Sequence, residues 1–320
     1  MFVGYGRAVY ELQRLEASTA RLLSIRDGKT ALRLLHVCFS KYNSHDHLKA
    51  SRIKMAEEQK QKYTALITGA SGGIGLELAE LFARDGHNLV LVARSEDKLN
   101  SLALRYAIKY KVYTKVVAQD LSKADGPEKV FAALKQEGVQ VDVLVNNAGF
   151  GNFGAFRETD LQKELDMMQL NMVSLTHLCK LFLHQLRDGQ HGRILNVSST
   201  AAFPPGPYMA VYYASKAYVQ SFTEALAAEL EDENVSVTAL CPGPTETEFQ
   251  QAANLHESGL FSSQLVADAR SVAKAGYSGM MAGEVVVIPG IQNKLTAFST
   301  RLVPRSVLRQ LVKKIQGKRA

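Results

Sequence analysis

The chain has 320 residues, 46% apolar and 22% charged, enough for one large α/β domain with a continuous core. Its net charge of +7 is uneven: residues 1–60 hold 11 Lys+Arg against 6 Asp+Glu, residues 61–290 hold 19 against 25, and residues 291–320 hold 8 against none. The body is therefore mildly acidic, which argues against nucleic acid as a partner. Cys38, Cys179 and Cys241 follow no disulfide or zinc spacing, so the expectation is no metal and a reducing, cytoplasmic setting.

Residues 1–62 show patches of helical periodicity (Val9, Leu12, Leu15; then Leu32, Leu35, His36, Phe39) and no chemical constellation. They read as a helical N-terminal appendage, or as sequence upstream of a start at Met55. A mitochondrial targeting peptide is the less favoured reading, because Glu11 and Glu16 oppose it. No apolar run is long enough to predict a membrane span.

From Tyr63 the pattern becomes strand, turn, helix. Thr64–Thr68 is a buried-strand run, Gly69-Ala-Ser71-Gly-Gly73-Ile74-Gly75 a tight turn, and Leu76 to Arg84 an amphipathic helix. The glycines let the backbone approach a pyrophosphate, which the positive end of the helix favours. A second strand, Asn88–Ala93, ends at Arg94, where an acid would grip the ribose hydroxyl of NAD and an arginine suits the 2′-phosphate of NADP. The expected cofactor is NADP(H). The alternative is that Arg94 merely caps the strand.

A helix from Glu96 to Tyr110, a strand at 114–118, a helix near 127–136 and a strand at 141–145 continue the alternation, which predicts a doubly wound, mostly parallel Rossmann-like sheet. Asp120, past the third strand, suits an adenine amino group or a plain turn. Asn146-Asn147-Ala148-Gly149 ends the fourth strand; the asparagines can tie strand ends together and the small pair admits a cofactor. A helical segment from 160 to 186 carries Asn171 amid apolar residues. Its side chain is expected either to bond the helix's own backbone or to bend it around a water.

A strand at 193–197 runs into Ser198-Ser199, and Tyr212 and Lys216 follow on one face of a helix. An ammonium about 4 Å from a phenol is worth about 4 kcal/mol at intermediate dielectric, which would bring the Tyr212 pKa toward about 7. The Tyr-x-x-x-Lys spacing alone arises about once by chance in such a chain. After a strand at 236–240, Cys241-Pro242-Gly243-Pro-Thr-Glu-Thr247 marks another strand end, and Glu248 to Ser263 reads as a lid. Residues 285–288 are a last strand. Past Pro304, an apolar stripe (Val307, Leu308, Leu311, Val312, Ile315) faces Arg305, Arg309, Lys313 and Lys314. This basic amphipathic tail, residues 291–320, suits contact of 304–320 with an anionic membrane, the protein's own surface or a subunit partner.

Thr68-Gly69-x-x-x-Gly73-x-Gly75, Asp120, Asn146-Asn147-Ala148-Gly149, Asn171, Ser199, Tyr212-x-x-x-Lys216 and Pro242-Gly243-x-x-x-Thr247 together resemble the motif set of the short-chain dehydrogenase/reductase family. The resemblance covers residues 63–290, with Ser199 standing 13 residues before Tyr212 as in that family. It implies a catalytic tetrad of Asn171, Ser199, Tyr212 and Lys216. Tyr212 would protonate a carbonyl oxygen, Ser199 would hydrogen-bond it, Lys216 would bind the nicotinamide ribose, Asn171 would hold a proton-relay water, and Thr247 would fix the carboxamide. It further implies dimers or tetramers through the helices around Asn171 and Tyr212. The segment 286–295 is similar to that of bacterial-type general oxidoreductases and of long-chain 3-oxoacyl and 17β-hydroxysteroid reductases, which implies a hydrophobic ketone or acyl substrate. Two rivals stand beside this reading: a dinucleotide-binding sensor without catalysis, and a membrane-surface protein acting through its basic flanks.

Overall fold

Seven strands in the order β3-β2-β1-β4-β5-β6-β9 form the centre of the protein, every neighbouring pair parallel. The computed structural model describes residues 62–188, 192–253 and 266–317. The expectations for residues 1–61 therefore lie outside the described residues. The strands are β1 (Thr64–Thr68), β2 (Asn88–Ala93), β3 (Thr114–Ala118), β4 (Val143–Asn146), β5 (Gly192–Val197), β6 (Val235–Leu240) and β9 (Val286–Val287). A separate parallel pair joins β7 (Thr245–Glu246) to β8 (Ala267–Asp268).

Strands buried on both faces need apolar residues at every position, which is why their sequences run without alternation. In β1, Ala65 and Ile67 pack toward one layer, and Leu66 packs toward the other. The first layer is built on α1 (Gly73–Arg84), α2 (Glu96–Tyr110) and α8 (Ala269–Met281), through Phe82, Tyr106, Val272 and Tyr277. The second uses α3 (Gly126–Gln136), α5 (Leu175–Asp188) and α6 (Ala210–Glu229), through Leu134, Phe182 and Val219. The doubly wound, Rossmann-like architecture expected from the alternation is thus present.

The helix expected over 160–186 is interrupted. It comprises α4 (Leu161–Met168), a π-helical turn (Gln169–Ser174) and then α5. Asp160 caps its start, accepting from the Lys163 N–H at 2.8 Å. Two short helices follow the last strand, α9 (Ile291–Ser299) and α10 (Arg305–Gln316). Of the segment 248–263 expected to be a lid, Phe249–Ala252 form a short helix, α7, and residues 254–265 lie outside the described set. Among the described residues no helix is long and apolar enough to cross a membrane.

Buried His87 precedes β2, and its Nδ1 accepts from the Tyr63 N–H at 3.2 Å. Burial, reinforced by the Arg193 charge, pushes its pKa below 6.5. A group held neutral in the folded state while its unfolded form binds a proton stabilises the fold above its unfolded pKa. That stability is lost as the pH falls through 6.5 toward the depressed folded value. Thermal melts between pH 8 and pH 5 should show a decline below about pH 6.5 that His87→Gln flattens.

Candidate active site

A cleft of about 520 Å³ opens beyond the carboxyl ends of the strands, its floor at the junction of β1 and β4. Thr68 and Asn147 hold that junction together. The Thr68 hydroxyl donates to the Val145 carbonyl at 3.2 Å and accepts from the N–H groups of Asn147 (2.9 Å) and Ala148 (3.0 Å). In return the Asn147 amide donates to the Thr68 carbonyl at 2.9 Å. Asn146 reaches the other way, donating to Asn196 Oδ1 of β5 at 2.9 Å, and Asn196 donates to Thr223 of α6 at 3.0 Å. The two asparagines thus tie strand ends as their position suggested.

Gly69, at φ +65°, turns the chain out of β1, and Gly73, at φ +53°, turns it into α1. Both positions favour glycine because the left-handed region is costly for other residues. Gly69, Ser71, Gly73 and Ile74 line the cleft with Arg94, Asp120, Asn147, Ala148, Gly149, Ser199, Tyr212, Lys216, Pro242, Gly243 and Thr247. Gly75, the remaining glycine of the turn, does not itself line the cleft. It lies buried where a Cβ would overlap Asn147 Nδ2 and the Gly69 carbonyl, so it sets the approach of α1 to the turn.

Arg94 is exposed at the rim, beside Asp120. Burial raises the Asp120 carboxyl, but hydrogen bonds from Ser122 and the charges of Arg94 and Lys123 outweigh it and leave the pKa below the usual value. Its Oδ1 is engaged in the turn by the Ser122 N–H (2.9 Å) and hydroxyl (2.8 Å).

Ser199, at the end of β5, accepts from the Ala201 N–H at 3.0 Å and lies within hydrogen-bonding reach of the Tyr212 phenol. Lys216, one helical turn after Tyr212, donates to the Val197 carbonyl at 2.8 Å, and its Nζ lies 5.8 Å from the Tyr212 ring centroid. The two pKa values correct the electrostatic expectation. Burial pushes Tyr212 up to about 12 despite Ser199, and pulls Lys216 down to about 8. Desolvation dominates because both groups are withdrawn from water, and the ammonium is turned toward Val197 rather than the phenol.

Asn171 does not line the cleft but stands behind it, in the π-helical turn. Its side chain does not bond its own helix, which is interrupted at this residue by the π-turn. Nδ2 donates to the Phe150 carbonyl and to Ser215 Oγ, both at 3.0 Å, while Oδ1 accepts from the Phe150 N–H at 3.2 Å. It therefore latches the loop after β4 to α6. A Cβ on Gly149 would come within 2.9 Å of Asn171 Oδ1 and 3.5 Å of Lys216 Nζ, so the wall between them admits no side chain.

Three features escaped the sequence reading. Lys98 of α2 lines the cleft and pairs with Glu248 at 3.2 Å across its rim. Its spacing four residues after Arg94, on the helix that follows, was the available signal. Glu248 also overhangs the glycine turn, where a Cβ on Gly72 would lie 3.3 Å from its carboxylate. At the other end, the Tyr213 ring presses on Gly206 and its hydroxyl accepts from the Gln316 amide of α10. That contact joins residues about a hundred positions apart, and no local pattern announces it.

The short-chain dehydrogenase model matches residues 63–258. The chain belongs to the short-chain dehydrogenase family. The very-long-chain 3-oxoacyl-CoA reductase of Phaeosphaeria nodorum is 37% identical over 179 residues, 54% of this chain and 52% of that protein. The chain thus spans about half the length of such curated reductases. A short-chain dehydrogenase from Sphingobium yanoikuyae, solved in complex with NADPH, superposes with a TM-score of 0.68 at 30% identity, covering 81% of this chain and 98% of that one. A 7β-hydroxysteroid dehydrogenase structure gives 0.70 at 29% identity, covering 78% and 97%. These relatives identify the chain as an oxidoreductase of this family.

The tight seat of Gly75 carries a test. Gly75→Ala should push the glycine turn off Asn147 and weaken dinucleotide binding by about tenfold or more, at a stability cost of about 1–3 kcal/mol for overpacking. Fluorescence titration with NADPH, beside a urea melt, measures both.

Proposed function

We propose that residues 63–290 form an NADP(H)-dependent reductase or dehydrogenase that interconverts a carbonyl and a secondary alcohol on a hydrophobic ketone or acyl substrate. The observation that carries this reading is the presence of Ser199, Tyr212 and Lys216 in one cleft with the glycine turn and Arg94. The residues suit the cofactor: a glycine turn at the start of α1 for the pyrophosphate, Arg94 for a 2′-phosphate, and the bare Gly149 wall for close approach. NADPH held there supplies the hydride.

The chain's own groups handle the proton. Tyr212, with a pKa near 12, is fully protonated at neutral pH and gives its proton to the carbonyl oxygen. Ser199 donates a hydrogen bond to the same oxygen as negative charge develops on it. Lys216 holds the ribose and offsets the charge left on the phenolate. Asn171 keeps the Phe150 loop and Ser215 in register with Tyr212 and lies beside Lys216, where a relay water fits its role. Thr247, packed on Gly73, fixes the carboxamide end. The substrate side is apolar, lined by Phe150, Met209, Tyr213 and Phe249. The likeness to a very-long-chain 3-oxoacyl-CoA reductase supports a long apolar substrate. The exposed side chains of Leu161, Leu165, Met168, Val173 and Tyr218 on α4 to α6 suit assembly of a homo-oligomer.

Tyr212→Phe should lower ketone reduction by about 10²-fold or more while NADPH affinity stays within about twofold. Near-normal turnover would sink the mechanism and favour a dinucleotide sensor. NADPH should bind more tightly than NADH, and Arg94→Ala should abolish the difference. Equal dissociation constants in the unmodified protein refute the cofactor assignment.

A further inference from the structure

We propose that α9 and α10 form a surface that docks this protein on an anionic lipid bilayer. The inner side of α10 belongs to the domain: Leu308 is buried, Val312 packs against the cluster of Met209, Tyr212 and Tyr213, and Gln316 bonds the Tyr213 hydroxyl. A second stripe, Val307, Leu311 and Ile315 at successive helical turns, stays about half exposed. The helix is therefore apolar over a wider arc than the domain covers.

Helix α9 repeats the arrangement. Ala297 is buried, whereas Ile291, Leu295, Phe298 and the following Leu302 are 75%, 64%, 57% and 71% exposed, at the four- and three-residue spacing of one helical face. Seven large apolar side chains are thus left in water within 25 residues, beyond the scattered exposure of an ordinary surface.

The charge around these stripes selects the occupant. Lys294, Arg301, Arg305, Arg309, Lys313 and Lys314 are all exposed, and none forms an ion pair with a described residue. The sequence from 291 to 320 contains no acid to balance them. A symmetric contact between two copies would set these cations against each other. A bilayer bearing anionic headgroups accepts both features at once, apolar side chains among the acyl chains and the flanking cations Lys294, Arg301 and Lys314 at the phosphates. Arg305, Arg309 and Lys313, on the opposite side of α10, add to the net attraction. The Gln316–Tyr213 bond then ties the docked helix to the apolar wall beside Tyr212, so the substrate side of the cleft is attached to the element at the membrane.

The test is co-sedimentation of the full chain with vesicles of phosphatidylcholine alone and of phosphatidylcholine mixed with phosphatidylserine. Binding is expected on the mixed vesicles, weakened by salt and nearly absent on phosphatidylcholine alone. Replacing the three cations that flank the stripes together (Lys294→Glu, Arg301→Glu, Lys314→Glu) should lower the bound fraction by about tenfold or more. Leu295→Asp with Leu311→Asp should do the same, with melting temperature and turnover of a water-soluble ketone unchanged in both. No binding to mixed vesicles, or binding that the charge variant leaves intact, overturns the proposal. Light scattering that shows an oligomer dissolved by these variants, without vesicle binding, assigns the face to a contact between copies and also overturns it. Sedimentation is read without turnover, so its result is independent of whether Tyr212 is the proton donor.

Discussion

Everything at the active site depends on the reciprocal bonding of Thr68 and Asn147. A parallel sheet leaves the carboxyl ends of its central strands splayed, and the crevice between them accepts a ligand only if their loops keep a fixed separation. One hydroxyl with three backbone partners and one carboxamide returned to the Thr68 carbonyl set that separation. Gly75 then lets α1 sit against the same asparagine. Position, rather than chemical reactivity, is what these residues contribute.

The second constraint is desolvation. Tyr212 and Lys216 stand one turn apart, yet the phenol is raised and the ammonium lowered. Each shift opposes charging, so the proton stays on the phenol. Surface electrostatics predict the opposite sign for Tyr212 because they treat the pair as though water still surrounded it. Interior ionisable groups behave according to their exposure before their neighbours.

The fold was legible because its signals are local. Runs such as Leu89-Val-Leu-Val92 and the glycine turn after Thr68 have to look as they do for a two-sided sheet and a tight entry to a helix. Most of the cleft was legible for the same reason, since its residues follow strand ends. What stayed hidden depends on distance along the chain. The Asn171 latch to Phe150 and Ser215, the Lys98–Glu248 pair and the Gln316–Tyr213 bond all join segments that only the folded backbone brings together. The π-helical turn is equally silent, because no residue between Gln169 and Ser174 is excluded from an ordinary helix.

The Tyr213 clamp separates two properties usually thought of together. Ser199, Tyr212 and Lys216 hang from a strand end and α6, which the sheet fixes, whereas the neighbouring ring is held by a loop glycine on one side and by the end of α10 on the other. Change at Gln316 can therefore shift a ring that lines the cleft while the sheet keeps Ser199, Tyr212 and Lys216 where they are.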